Sequence, residues 1–120
     1  MSKQISWRVV LVVKHGQINN FQALNEEMVE SARKELGALI YERFVTNDGK
    51  LVEVYERYAN SAAAVAHLQD FREKFGERFS SMVERTKFTV YGSPSDELRG
   101  LLDGFGAAYM RHFGNVAYWP

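Results

Sequence analysis

The sequence predicts an α+β domain of ferredoxin-like order, βαββαβ, with an antiparallel sheet of strand order 4-1-3-2 and one further helix at the C-terminus. Three observations point there. Apolar residues recur first at strand spacing and then at helix spacing, in that order along the chain. The first strand is apolar on both faces, as a central strand must be. The 120 residues, 46% hydrophobic and 25% charged, suffice for one core of ordinary globular composition. The whole chain is read as one domain, with a core over residues 5–92 and an extension over 93–120.

The elements follow in order. Residues 6–14 are Val-rich and form the central strand. Residues 19–37 predict a helix: Asn19 and Gln22 fit a capping box, Gly37 offers a left-handed stop, and Phe21, Leu24, Met28, Ala32 and Leu36 make the apolar stripe. Residues 38–46 and 50–59 form a hairpin around Asn47-Asp48-Gly49. A three-residue loop sets Arg43 opposite Glu53 and Tyr41 opposite Tyr55, two favourable cross-strand pairs. A two-residue loop would oppose Phe44 to Glu53 and Ile40 to Arg57, and the first register is preferred. Asn60 or Ser61 caps the second helix, which runs to about Met82 with a break near Gly76. Its stripe is Ala64, Leu68, Phe71, Phe75, Phe79 and Met82. Residues 85–91 form the fourth strand. Ser93-Pro94-Ser95-Asp96-Glu97 starts a last helix that carries Leu98, Leu101, Leu102 and Phe105.

Strand parity then sorts the sheet's faces. Trp7, Val9, Leu11, Val13, Ile40, Phe44, Val52, Val54, Phe88 and Val90 are assigned to the helix side. Tyr41, Arg43, Glu53 and Tyr55 fall on the other face with Val10, Val12, Leu51 and Tyr91. No core helix covers that aromatic and charged face, so a second copy of the sheet is its expected cover and the expected state is a homodimer.

Composition removes several function classes. Fifteen basic residues balance fifteen acidic ones, which disfavours a nucleic-acid binder. The absence of cysteine removes disulfides, thiol nucleophiles, and cysteine-based zinc or iron–sulfur sites. The chain contains no phosphate-binding glycine loop, no HExxH and no GxSxG. The histidines at 15, 67 and 112 are far apart, and no metal site is expected. The apolar run at the N-terminus is too short for a membrane helix and lacks a cleavage signal, so a cytoplasmic location is expected.

The stretch 55–68, YERYANSAAAVAHL, joins a strand ending in Tyr-Glu-x-Tyr to a polar cap and an Ala-rich helix bearing a His. With Val13-Lys14-His15-Gly16 and with residues 35–42 upstream, it resembles the antibiotic biosynthesis monooxygenase domain over roughly residues 5–92. The resemblance implies a dimeric α/β barrel. It also implies a pocket between sheet and helices, and oxidation of quinols or aromatic polyketides by O₂ without metal, flavin or other cofactor. The haem-degrading branch of that superfamily uses an Asn on the first strand, a Trp and a helical His. Here the first strand has no Asn and no Trp lies between Trp7 and Trp119, which disfavours haem.

The candidate site follows from parity and resemblance together. Glu56 shares the helix-facing side with Val52 and Val54, and a carboxylate there needs a partner. His67, at the border of the second helix's stripe, is the candidate partner and acid/base group. Tyr58 could donate to a phenolic or quinone oxygen. Trp7 and Phe71 are candidate walls of a pocket for an aromatic ligand. The leading expectation is a cofactor-independent quinol-type monooxygenase. The alternative is a non-catalytic small-molecule binder or structural dimer of the same fold.

Overall fold

Strand β1 (Ile5–Val13) occupies the middle of the sheet, as its two apolar faces require. The computed structural model describes residues 3–120. Helix α1 (Ile18–Arg33), strands β2 (Ala38–Val45) and β3 (Leu51–Tyr58), helices α2 (Ser61–Lys74) and α3 (Gly76–Met82), and strand β4 (Val83–Tyr91) complete the βαββαβ core. Helix α4 (Asp96–Asp103) and a short strand β5 (Ala108–Met110) follow. The sheet order is β2-β3-β1-β4-β5. The expected order is therefore present, extended by one strand. The four expected strands are all antiparallel to their neighbours, and the unforeseen β5 runs parallel to β4, which makes the whole sheet mixed.

The hairpin register differs from the expected one, and the difference moves a whole strand face. Phe44 opposes Glu53 and Ile40 opposes Arg57, while Tyr41 opposes Glu56 and Arg43 opposes Val54. The cause is the loop. The Thr46 N–H bonds to the Leu51 carbonyl at 3.0 Å. The Lys50 N–H is taken by the Asp48 carboxylate at 2.9 Å, which holds Lys50 in the loop. Gly49, at φ 71, closes the inner turn with its N–H on the Thr46 carbonyl. The loop is thus one residue longer than the three expected, and the one-residue shift sends the side chains of residues 40–45 to the opposite face, while an irregularity at Leu39 keeps Ala38 opposite Tyr58. Tyr41 and Arg43 point into the sheet–helix layer. Ile40 and Phe44, expected in that layer, lie on the open face.

A second irregularity acts on β4. The β1–β4 register shifts between Val10 and Leu11, so that Val10 pairs with Lys87 but Leu11 pairs with Arg85. Thr86 is the extra residue of this bulge, and Arg85 consequently shares the helix-facing side with Phe88.

The helices also depart from expectation at their ends. Helix α1 starts at Ile18 after Gln17, without a side-chain cap, so the Asn19 box does not form. It ends at Arg33, and Leu36 lies past its end, 96% exposed instead of in the stripe. Gly37 keeps a left-handed conformation at φ 86, where a Cβ would come 2.7 Å from the Ala63 methyl carbon. That close approach seats the start of β2 against α2. Asn60 caps α2, accepting from the Ala63 N–H at 2.9 Å, and the break before Gly76 separates α2 from α3. Ser95, not Ser93, caps α4, accepting from the Leu98 N–H.

The core lies between the sheet and the helices, with Trp7, Leu11, Leu24, Met28 and Val90 fully enclosed. From the extension, Leu98 and Leu102 are 0% exposed, and Phe105 stacks on Phe88 with ring centroids 5.4 Å apart. On the open face, Phe44, Leu51 and Val12 remain exposed beside Arg8, Glu53 and Tyr55. His112 and Tyr118 of the last segment lie against this face with Arg8 and Arg57. Removing residues 93–120 should lower stability by several kcal/mol, since burial of Leu98 and Leu102 alone is worth on the order of 4 kcal/mol. Urea denaturation measures this, and an unchanged midpoint would show that the packing contributes nothing.

Candidate active site

The site is built around one buried carboxylate. Glu56 is 5% exposed on β3, and donors reach it from three strands and one helix. Trp7 Nε1 of β1 donates to Oε1 at 3.0 Å, and the Tyr58 hydroxyl of β3 donates to the same oxygen at 2.8 Å. Arg43 of β2 donates from a terminal nitrogen to Oε2 at 2.7 Å. His67 Nε2 of α2 stands 3.3 Å from Oε1. The expected Glu56–His67 pair is therefore present, joined by Trp7 and Tyr58 from the same face and by Arg43, which sequence parity did not supply.

His67 has a second carboxylate. Its Nδ1 lies 2.8 Å and 3.1 Å from the two oxygens of Glu35, just past the end of α1. The ring is buried, at 5% exposure, instead of standing at a border. Burial opposes its charge, but Glu35 and then Glu56 outweigh burial and raise its pKa to about 9. His67 is thus an imidazolium at neutral pH, donating from both nitrogens. Burial likewise opposes ionisation of Glu56, but Arg43 and then His67 prevail and lower it to about 2. Burial, then the Glu56 charge, pushes the Tyr58 phenol far above its usual range, and the same causes raise Tyr41. Arg43 also lies over the Tyr41 ring, 3.5 Å from its centroid.

Beside this cluster is a cavity of about 40 Å³ lined by Trp7, Val9, Leu11, Arg43, Val54, Glu56, His67, Phe71, Arg85, Phe88 and Phe105 among others. Leu68, Phe71, Arg85 and Phe105 belong also to a wider cleft of about 480 Å³ between α2–α3 and the end of α4, which Leu101, Gly104, Gln69 and Ser80 help to line. A ligand's body fits the cleft, and only a small group fits the inner chamber. Of the expected residues, Trp7, Glu56, His67 and Phe71 come together on the chamber. Tyr58 does not line it: its hydroxyl is spent on Glu56 and its side chain is 0% exposed. Arg43, Tyr41, Glu35 and Arg85 were not foreseen. The first two were hidden by the hairpin register and Arg85 by the bulge, while Glu35 carries no periodic signal that would place it near His67. Among the described residues, no group of three or more His, Asp or Glu side chains is arranged to hold a metal ion. No helix there is long and apolar enough to cross a membrane.

The sign of each pKa shift sets a pH window. The raised His67 contributes its full stabilisation below its ordinary value of 6.5 and loses it as pH rises through about 9. The lowered Glu56 contributes fully above 4.5 and loses it as pH falls toward about 2. Stability from this cluster should therefore be greatest between pH 4.5 and 6.5. Chemical denaturation across pH measures it. Glu56→Gln should cost about 3–5 kcal/mol at pH 6, because it leaves Arg43 and His67 buried without their carboxylate. A flat pH profile or a neutral Glu56→Gln would contradict the geometry.

No protein-family model and no curated protein sequence matches the chain. Solved structures do. MupZ from Pseudomonas fluorescens superimposes with a TM-score of 0.88 at 19% identity, over 98% of this chain and 91% of that one. SnoaB, a cofactor-independent oxygenase from Streptomyces nogalater, gives 0.67 at 9% identity, over 78% of this chain and 96% of its own. A protein from Bacteroides thetaiotaomicron, described as a proposed antibiotic biosynthesis monooxygenase, gives 0.64 at 22% identity, over 72% and 85%. The chain therefore has the α+β fold that its sequence predicts, and it shares that fold with these three structures.

Proposed function

We propose that the chain is a small-molecule enzyme of the cofactor-independent oxygenase type, acting on an electron-rich phenol or quinol whose ring lies in the cleft and whose oxygen reaches the sheet–helix chamber. The observation that carries this reading is the chamber itself: aromatic and aliphatic walls around a polar cluster that holds more cations than carboxylates. A phenol or enol must lose a proton before it passes electrons to O₂. Neither Glu56, held near pKa 2, nor the charged His67 is a useful base at neutral pH. The residues instead favour the substrate's own anion: the proton passes to solvent through the cleft, and Arg43, Arg85 and His67 stabilise the oxyanion left at the chamber. The substrate supplies all four electrons that O₂ takes up, as when a hydroquinone becomes a hydroxyquinone: one oxygen atom enters it and the other leaves as water with two hydrogens from the substrate. The similarity in fold to SnoaB supports the class of reaction.

A second reading rests on the protonation of His67. A buried imidazolium held between two carboxylates is a proton donor, and it suits a reaction that protonates a carbonyl or ether oxygen without O₂. Oxygen-electrode measurements with a panel of hydroquinones and naphthols, with and without chelator, separate the two. Uptake that survives chelator and falls at least about tenfold in His67→Ala supports the oxygenase. No uptake with any quinol overturns it.

We also propose that the open face binds a second copy. Phe44, Leu51, Val12 and Tyr55 form an apolar surface interleaved with the Arg8–Glu53 pair, which can match itself across a two-fold axis. The expected face is corrected in composition, since Tyr41 and Arg43 have left it. Sedimentation should give a dimer at micromolar concentration, and Phe44→Asp should give monomer. A monomeric wild-type chain would overturn the proposal.

A further inference from the structure

Arg85 is a half-buried cation and stands apart from Arg43 and His67. Arg43 is paired to Glu56, and His67 is held by Glu35 and Glu56. Arg85 has no carboxylate within ion-pair distance and no hydrogen-bond acceptor among the described residues. Its guanidinium carbon instead lies 4.6 Å from the Phe105 ring centroid, 4.7 Å from Phe79 and 5.8 Å from Phe71. Ring faces attract a cation, but they accept none of the five N–H bonds that a guanidinium offers. Its surroundings cost it solvation, and burial lowers its pKa.

Local structure places it there. Ordinary alternation from Phe88 and Val90 would turn residue 85 to the open face. The bulge at Thr86 instead opposes Arg85 to Leu11 and aims it inward, as bulges beside functional sites commonly do. A free arginine on the surface would need no such device.

The charge balance around the chamber points the same way. Arg43, Arg85 and the charged His67 face Glu35 and Glu56, leaving one positive charge in excess. The Nε of Arg43, whose side chain is only 10% exposed, is buried without an acceptor on the same chamber. The unmet requirement is therefore for one negative charge with acceptor oxygens, at the neck where the inner chamber meets the cleft.

We propose that Arg85 is an anion-recognition residue, and that the ligand of this cleft is a small organic acid: a carboxylate on a flat or extended apolar body. The carboxylate meets Arg85 at the neck, where Arg and carboxylate geometry allows two parallel hydrogen bonds. The body lies outward over Phe105, Leu101 and Leu68, because the chamber of about 40 Å³ cannot hold a ring while the cleft of about 480 Å³ can. The proposal deepens the enzyme reading by naming the substrate class of the same site. Carboxylate binding, however, can be measured without any turnover.

Calorimetric titration at pH 7 with phenylacetate, 3-phenylpropionate and octanoate, each against its primary amide, is the test. The carboxylates should bind at least about tenfold more tightly than the matched amides. Arg85→Met should abolish that preference and Arg85→Lys should keep part of it. Thermal melting is the control: Arg85→Met should melt no lower than wild type, since it removes an unpaired, partly desolvated charge. Equal binding of acids and amides, an unchanged preference in Arg85→Met, or a marked loss of stability in that variant would each overturn the proposal. If carboxylates bind as expected while no quinol consumes O₂, the oxygenase reading fails and this inference stands.

Discussion

The Glu56 carboxylate is the constraint on which the rest of the structure depends. An ionised carboxylate in a sheet–helix layer costs several kcal/mol of lost hydration, and it persists only if every lone pair is met. Here the donors come from β1, β2, β3 and α2, through Trp7, Arg43, Tyr58 and His67. Each donor is fixed by the next: Arg43 lies over Tyr41, and His67 is held from behind by Glu35 at the end of α1. One residue thus ties the edge strand, the central strands and both long helices into a single arrangement. Loss of β3 would leave Arg43 buried without its carboxylate and His67 with Glu35 alone. Such a network costs more than an apolar core of the same volume, so its presence beside a cavity is a statement about chemistry more than about stability.

This centre was legible in the sequence only in part, and the reason is the arithmetic of strands. The two-residue period identified β3 well: Val52, Val54, Glu56 and Tyr58 are buried as one face. Helical spacing brought His67 to the same layer. Those regularities are local, and they survived. Residues brought in by a non-local register did not. Arg43 was placed opposite Glu53 because that pairing is electrostatically good. The Asp48 side chain instead captured the Lys50 N–H and lengthened the loop by one residue. The stronger local bond won over the weaker exposed pair, and β2 turned over. Arg85 was missed for a similar reason, since a bulge on β4 leaves no mark in the hydrophobic pattern when the extra residue is a threonine. Glu35 lies in an irregular connection, where no period applies at all.

Both failures of pattern fall on the site. A bulge and a longer loop each cost regular pairing, and each places a cation where alternation would place it outside. Two independent irregularities that deliver arginines to one chamber make the chamber electropositive by construction. The aromatic walls then matter twice. Phe71, Phe79 and Phe105 provide an apolar lining and also support the Arg85 charge from their ring faces, so the cation stays available instead of finding an acidic neighbour.

The extension determines what such a chamber admits. The SnoaB and Bacteroides structures match about three quarters of this chain, whereas MupZ matches nearly all of it. The last quarter of this chain is not decoration around a shared core: Leu98 and Leu102 close the core, and Leu101, Gly104 and Phe105 form the outer wall of the cleft. Phe105 stacks on Phe88 of β4 and faces Arg85, so the position of α4 sets both the width of the mouth and the surroundings of its cation. Fold places a pocket between sheet and helices, but function is decided by the groups that line it. In this chain those groups come partly from a helix that the βαββαβ core does not contain. Under the proposed function, the chemistry of the inner chamber rests on β2, β3 and α2, and the choice of substrate rests on β4 together with α4.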